Sequence, residues 1–259
     1  MKGSVTMNGI RREKIREFVE LNHIATLPQI STLFPDVSLM TIHRDLSYLQ
    51  DQGFLVKIRG GARYIANVAN EPAFAAREII NKSAKQIIAG KAVAFLAGSS
   101  SVFVDAGTTM MALAKQMPDI QANVITTGPN IALELAKKTL TTVNLCGGVL
   151  NKNNLTLSGD AAIESISGIN IDTAFIVAAG YSARSGFTCG MESEARIKRM
   201  VIKKARTSVI LMDSSKFDRL LPYTFAVPGD FSCMITDIDP YALPESLQVL
   251  VQSLKLRVE

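Results

Sequence analysis

The sequence predicts an α/β chain in two parts: a small N-terminal winged helix-turn-helix, then a mostly parallel sheet with helices on both faces. Three observations predict it. Helical apolar stripes and a basic hairpin fill residues 1–66. Short apolar runs alternate with helical stretches over 98–259, and such alternation puts helices on both faces of a parallel sheet. The two regions are separated by Asn67-Val68-Ala69-Asn70-Glu71-Pro72, which carries no period, within a linker and connecting helix over 67–97. A length of 259 residues accommodates two domains, and 47% hydrophobic residues supply a core that a disordered chain lacks.

In the first region Ile15, Phe18 and Val19 fall on one stripe of a helix over roughly 11–21, with its charges on the other side. Leu27, Ile30, Leu33 and Phe34 make a second, shorter stripe, with Thr26 as cap and Pro28 in the first turn. Pro35-Asp36 ends it. Ser38 then caps a third helix by accepting from a backbone N–H, and Ile42, Leu46 and Leu49 form its buried stripe. At 100° per residue Met40, His43, Arg44 and Ser47 lie opposite, with Thr41 flanking them. Gly53 stops the helix. Residues 54–59 and 62–65 read as two strands around the turn Gly60-Gly61.

An α-helix fits the major groove, and its outward face must carry hydrogen-bonding groups near the N-terminus. Ser38, Met40, Thr41, His43, Arg44 and Ser47 are the candidate DNA contacts on that face. Lys57, Arg59 and Arg63 on the hairpin are placed for phosphates or the minor groove. The charge is distributed accordingly: nine basic side chains stand against six acidic in 1–66, and 19 against 17 in the rest. More than half of the net +5 therefore lies in the first quarter, with clusters at 11–16 and 57–63. A helical cap or dimerisation module with a polar face is the competing interpretation. It explains neither the basic hairpin nor an outward Arg beside short hydroxylated residues.

The second region opens with a helix expected over 75–96, with Ile79, Ile80, Ile87 and Ile88 as its apolar contacts. Strands are expected at 101–104, 123–126, 142–146, 173–178, 208–212 and 233–235, and helices near 109–116, 130–138, 161–166, 192–204 and 244–254. In such sheets ligands gather at the carboxyl ends of the strands. The first of those ends, Asp105-Ala106-Gly107-Thr108-Thr109, directly precedes a helix. Gly107 allows close approach, the threonine hydroxyls donate, and a helix N-terminus offers free N–H groups with partial positive charge. That combination cradles a phosphate. It lacks the Lys of a Walker A loop and the three-glycine dinucleotide fingerprint, which disfavours ATP and NAD. The other ends read Thr126-Thr127-Gly128, Gly147-Gly148, Ala179-Gly180 and Asp213-Ser214-Ser215-Lys216. Singly each is an ordinary turn; together on one rim they predict a ligand pocket.

The run Ser38-Leu39-Met40-Thr41-Ile42-His43-Arg44-Asp45-Leu46, with Gly53-Phe54-Leu55-Val56 and Arg59-Gly60-Gly61-Ala62, resembles the signature of the DeoR family of bacterial transcription regulators. His43 stands where that pattern has the first of two Arg; it can still donate to a phosphate or base edge, with a charge that depends on pH. Asp45 reads as an anchor within the helix-turn-helix. Asp105-x-Gly107-Thr108-Thr109, Gly147-Gly148, Gly186-Phe187-Thr188 and Asp213-x-x-Lys216-Phe217 are similar to the sensor domain of the same regulators, itself similar in fold to ribose-5-phosphate isomerase. The resemblance covers nearly the whole chain and implies a phosphorylated sugar or sugar alcohol as effector. It implies Gly107, Thr108 and Thr109 on the phosphate, and Asp105 and Lys216 on hydroxyl or phosphate oxygens. Thr126, Thr127, Gly147, Gly148 and Gly180 belong to the same rim, and Glu192 is a candidate for sugar hydroxyls. It further implies a repressor of a carbohydrate-utilisation operon, released by its metabolite. A homodimer or homotetramer would place paired heads on two half-sites of double-stranded operator DNA.

The rival function is a sugar-phosphate isomerase or deaminase with an appended DNA module. Isomerisation needs a carboxylate or His to move a proton between carbons, and both histidines, His23 and His43, lie in the first region. Asp105, Asp213 and Glu192 remain, but Gly180-Tyr181-Ser182-Ala183-Arg184, where the isomerase-like deaminases hold an acid/base pair, has no carboxylate. The expectation is a regulator that is not an enzyme and uses no cofactor. An architectural DNA binder without an effector leaves the polar rim unexplained. Cys146, Cys189 and Cys233 make an odd number without a ligand cluster, so neither a disulfide framework nor a metal site is expected. Cys146 and Cys189 are read as small buried hydrophobes. No apolar run approaches the roughly 18 residues of a membrane span, and the start lacks a signal-peptide core, so the expected location is cytoplasmic with no membrane partner. The helix over 75–96 is the expected lever between pocket and DNA reader.

Overall fold

The computed structural model describes residues 7–22, 24–51, 54–64, 74–239, 242–243, 248 and 257–258. The separating stretch at 67–72, Gly53 and most of the helix expected at 244–254 lie outside the described residues.

The head runs α1 (Met7–Asn22), β1 (Ile24–Thr26), α2 (Leu27–Thr32), α3 (Leu39–Asp51), β2 (Leu55–Ile58) and β3 (Gly61–Tyr64). Its core is the one the helical stripes dictate: Ile15, Val19, Ile30, Ile42, Leu46 and Leu49 are buried together with Leu55 and Ala62. Leu33 departs from expectation at 42% exposed, because α2 stops at Thr32 and the stripe loses its phase there. Thr26 caps the start of α2 with a reciprocal pair: its Oγ1 accepts from Gln29 N at 3.4 Å while Gln29 Oε1 accepts from Thr26 N at 2.8 Å. The unexpected β1 pairs antiparallel with β3, so the hairpin becomes a three-stranded sheet in the order β1-β3-β2. That pairing explains Gly61, where a Cβ would meet Ala25 O at 2.2 Å.

The stretch expected as one helix over 75–96 is two, α4 (Phe74–Ile79) and α5 (Lys82–Val93), followed by a 3-10 turn at Ala94–Leu96. The break is at Asn81, whose φ of 51° is left-handed, a conformation asparagine tolerates better than most residues. Its amide donates to Asp213 Oδ1 at 3.1 Å and Ser215 Oγ at 3.0 Å. The break also rephases the apolar pattern: Ile80 and Ile88 are buried, but Ile79 and Ile87 are 70% and 48% exposed.

The large domain continues through β4 (Ser101–Val104), α6 (Thr108–Gln116), β5 (Asn123–Thr126), α7 (Pro129–Leu135), β6 (Thr142–Leu145), β7 (Val149–Asn151) and β8 (Thr156–Ser158). Then come α8 (Asp160–Ser167), β9 (Ile171–Val177), β10 (Gly180–Ser182), β11 (Gly186–Cys189), α9 (Glu192–Lys204), β12 (Ala205–Leu211), β13 (Tyr223–Ala226), β14 (Cys233–Ile235) and β15 (Arg257–Val258). Among the described residues the main sheet has the order β15-β14-β12-β9-β4-β5-β6, and every pairing in it is parallel. Strand side chains alternate between two cores. Phe103, Ile125, Ala174, Ile176 and Ile210 meet α8 and α9, whereas Val102, Val104, Val124, Phe175 and Val209 meet α5, α6 and α7. Helices therefore cover both faces. The β7–β8 hairpin and the small antiparallel sheet β10-β11-β13 were not expected from the sequence, since their three- and four-residue strands are too short for a period to register.

From β4 the chain moves outward to β5 and β6, and β9, β12 and β14 then fill the other side. The direction of winding thus reverses between β4 and β9, where loops leave opposite faces and a crevice opens above the strand ends.

Candidate functional site

On the head, the outward face of α3 carries exposed Ser38, Met40, His43 and Arg44, with Thr41 partly buried beside them. Ser38 caps the helix as expected: Thr41 N donates to its Oγ at 3.3 Å, and the two hydroxyls lie 3.0 Å apart. Ser47 is already engaged, donating to His43 O at 2.9 Å and accepting from Lys57 Nζ at 3.0 Å. Those bonds tie α3 to the wing. Arg59 and Arg63 are exposed on the hairpin and, like Arg44, form no side-chain hydrogen bond or ion pair among the described residues.

The basic cluster at 11–16 has a different role from the wing. Arg11 Nε and Arg12 Nε donate to the two carboxylate oxygens of Asp45 at 2.5 and 2.8 Å, and Asp45 is buried. Arg12 also lies over the Tyr48 ring, 3.8 Å from its centroid. Arg16 pairs with Glu13 at 2.5 Å and lies over Phe54. Asp45 is thus the anchor that clamps α3 against α1, and its removal would leave two arginines without their counter-charge, a loss in the class of roughly 3–5 kcal/mol.

In the large domain a cavity lies at the β4–β9 reversal, lined by Asp105–Thr109 after β4, Val177–Ala179 at the end of β9 and Leu211–Asp213 at the end of β12. Thr108 and Thr109 open α6, and both are buried. The first of its amides to find a partner is Met111 N, on Gly107 O at 2.9 Å. Those of Thr108, Thr109 and Met110 precede it and are the donors a helix N-terminus leaves for an anion. Gly107 has φ 134°, a conformation closed to side-chain-bearing residues, and this is what turns the loop tightly into the helix.

Asp105 does not present a free carboxylate. Its Oδ2 accepts from Lys198 Nζ and from Val177 N (3.1 Å), and its Oδ1 from Ala106 N (2.8 Å). Lys198 also donates to Val177 O at 3.0 Å. Burial works against the Lys198 ammonium, but Asp105 beside it, helped by Cys189 and Glu194, more than compensates and raises its pKa. Asp213 shows the mirror case: burial pushes its carboxyl up, while Lys216, Ser215, Lys85 and Asn81 together hold it below the usual carboxylate range. Burial draws Lys85 down to about 8, with Asp213 opposing the fall.

The cavity lining holds five cations (Arg77, Lys85, Lys198, Lys216, Arg219) and three carboxylates (Asp105, Glu194, Asp213), an excess of two positive charges. Asn154 and Glu194 form a polar wall, with Asn154 Nδ2 donating to Glu194 Oε1 at 2.5 Å. That bond fixes the amide orientation, and Asn154 Oδ1 is buried with no hydrogen-bond partner among the described residues. Of the residues singled out in the sequence, the cavity gathers Asp105, Gly107, Thr108, Thr109 and Lys216. Thr126, Thr127, Gly147, Gly148, Gly180 and Glu192 are not in its lining. The strands β5 and β6 lie on the far side of the reversal, so their ends serve local structure: Thr126 Oγ1 accepts from Gly128 N, and a Cβ on Gly148 would strike Ser158 O. Gly180 abuts Arg219 O, and Glu192 is exposed and paired with Arg199 at 3.4 Å. Arg77, Lys85, Asn154, Glu194, Lys198 and Arg219 were not foreseen. Glu194 and Lys198, four residues apart on one face of a helix expected at 192–204, left the only legible signal.

The three cysteines are free and buried, and burial pushes Cys189, in the cavity wall, and Cys146 up to about 11. Among the described residues there is no group of His, Cys, Asp and Glu that could hold a metal ion, and no helix long and apolar enough to cross a membrane.

Comparison with known proteins places these parts. A profile of the DeoR-like helix-turn-helix domain matches residues 11–68, and one of the DeoR C terminal sensor domain matches residues 80–238, more than half of the chain. The HTH-type transcriptional regulator GolR of Listeria innocua is 31% identical over 88% of this chain and 89% of its own length. The HTH-type transcriptional repressor GlcR of Bacillus subtilis is 31% identical over 86% of each chain. Among solved structures, ribose 5-phosphate isomerase A of Methanocaldococcus jannaschii is 14% identical with a TM-score of 0.40, covering 53% of this chain and 55% of that one.

Proposed function

Because the chain belongs to the DeoR family of transcription regulators, and is accordingly a DNA-binding regulator and not an enzyme, we propose that it is a repressor controlled by a phosphorylated sugar or sugar alcohol. The observation that carries the effector half is the cavity itself: helix N-terminal amides with no partner among the described residues, two buried threonines and a net positive lining at one point of the sheet. An anion fits that electrostatics, and the buried Asn154 Oδ1, without a partner among the described residues, suits a hydroxyl donor at the other end of the same molecule. A phosphorylated polyol carries both groups. Within the cavity Gly107, Thr108, Thr109 and Lys216 would take the phosphate; Asp105, already committed to Lys198, would act by holding that lysine in place.

For DNA, the exposed Arg44 with His43, Thr41, Ser38 and Met40 would enter the major groove, and Arg59, Arg63 and Lys57 would meet the backbone beside it. Control of a carbohydrate-utilisation operon, and a homodimer or homotetramer on paired half-sites, complete the proposal. The name of the repressor relative supports the sign of regulation.

A thermal-shift panel of sugar phosphates beside their unphosphorylated parents tests the effector. A ligand at 100 times its Kd adds roughly 2.7 kcal/mol to the native state, so at least one phosphorylated compound should raise the melting temperature while its parent does not. Equal shifts for each phosphorylated and parent pair, or none at all, would reject the anion pocket.

A further inference from the structure

The main sheet ends differently at its two edges. At one, β15 is two residues long among the described residues and carries Arg257. A short, charged strand is a common way to blunt an edge, because an open row of N–H and C=O groups invites another strand. At the other, β6 pairs only with β5 among the described residues, in an unbroken register from Thr142 to Leu145. It has no charge, no Pro and no bulge, and Thr142, Asn144 and Leu145 are exposed, Leu145 at 47%.

The apolar surface continues beyond the strand. Leu140 precedes β6, and Val149 and Leu150 of β7 follow it, all exposed, with Val149 at 74%. Leu133 is exposed on α7, the helix packed against β6. Single exposed leucines are ordinary on a protein surface and identify nothing alone. These border an open strand edge, and residues 139–151 contain no charged side chain, a run bounded by Lys138 and Lys152.

The missing charge selects the occupant. In a two-fold contact a residue near the axis faces its own copy, so a charge there would meet a like charge. A charge-free strip avoids that repulsion. A different partner would be selected by complementary charge, which this strip does not offer. We propose that β6 and the β7–β8 hairpin form the contact between two copies of this chain, β6 pairing antiparallel with its counterpart across a two-fold axis. The inference rests on the homo-oligomer of the proposed function and gives that assembly a surface. The junction leaves the cavity at the β4–β9 reversal open, since β5 lies between.

Sedimentation velocity of the full chain over a dilution series tests this, beside Leu145→Lys and Val149→Lys. Both side chains are exposed, so neither change empties the core, and melting followed by circular dichroism checks that the fold is kept. The wild-type chain should associate, and each variant should weaken that association on the order of a hundredfold, because the axis sets lysine against lysine. Thr142→Cys gives a reading that does not depend on either lysine variant. A bismaleimide of about one strand length, roughly 13 Å, should link two copies. The wild-type chain, whose three cysteines are buried, should stay unlinked. Full association in both lysine variants, or no linked dimer from Thr142→Cys, refutes β6 as the contact and leaves the oligomer to another surface. A wild-type chain that sediments as a monomer throughout overturns the oligomer and this contact together.

Discussion

Lys198→Met should destabilise the large domain by roughly 3–5 kcal/mol, the penalty for leaving a buried charge without its partner. Both members of the Lys198–Asp105 pair are buried, and the lysine links two loops at the β4–β9 reversal, through Asp105 on one and Val177 O on the other. With the ammonium gone, the Asp105 carboxylate keeps two backbone donors and no counter-charge. Adding Asp105→Asn removes that orphaned charge while keeping an acceptor for Ala106 N, so the double variant should recover a large part of the loss. Urea unfolding followed by circular dichroism gives both numbers. A single-variant loss below about 1 kcal/mol would place the pair among ordinary surface ion pairs and contradict its role in shaping the cavity.

Arg44→Ala should weaken operator binding by roughly 1–3 kcal/mol, a factor between several and about a hundred. Arg44 is the exposed cation of the recognition face, while Arg11 and Arg12 are spent on Asp45. Binding measured by fluorescence anisotropy over a salt series separates the two kinds of contact: loss of a phosphate contact lowers the salt slope by about one, whereas loss of a base contact relaxes sequence preference at one position. Unchanged affinity and slope would remove Arg44 from the interface.

Much of this architecture was legible because it is local and periodic. The buried stripes of α1 and α3 and the parallel strands at Ser101–Val104, Asn123–Thr126 and Cys233–Ile235 follow from spacing alone. The tight turn at Gly107 into the helix at Thr108–Gln116 was legible because a glycine directly before a helical pattern marks a turn. What the sequence hid is non-local. Nothing in the chain around 75–96 announces that Asn81 will turn left-handed, because the cause lies at Asp213 and Ser215, more than 130 positions away. Nor does spacing show which strand ends share a cavity; that depends on the order β9-β4-β5, which leaves the Thr126-Thr127 and Gly147-Gly148 ends outside. The cations Arg77, Lys85 and Lys198 sit on helices as any solvated lysine or arginine would, and only packing reveals where they point.

In the proposed regulator one chain reads DNA with its head and a phosphorylated metabolite with its body, and the second changes the first. The most direct measurement is the affinity of the full chain for an operator fragment selected from random-sequence DNA, titrated with sugar phosphates and with the same sugars lacking phosphate. At least one phosphorylated compound should lower that affinity, its parent sugar should not, and Lys216→Ala should lose the effect. Operator binding that stays the same with every phosphorylated compound, or that responds equally to the parent sugars, would contradict it.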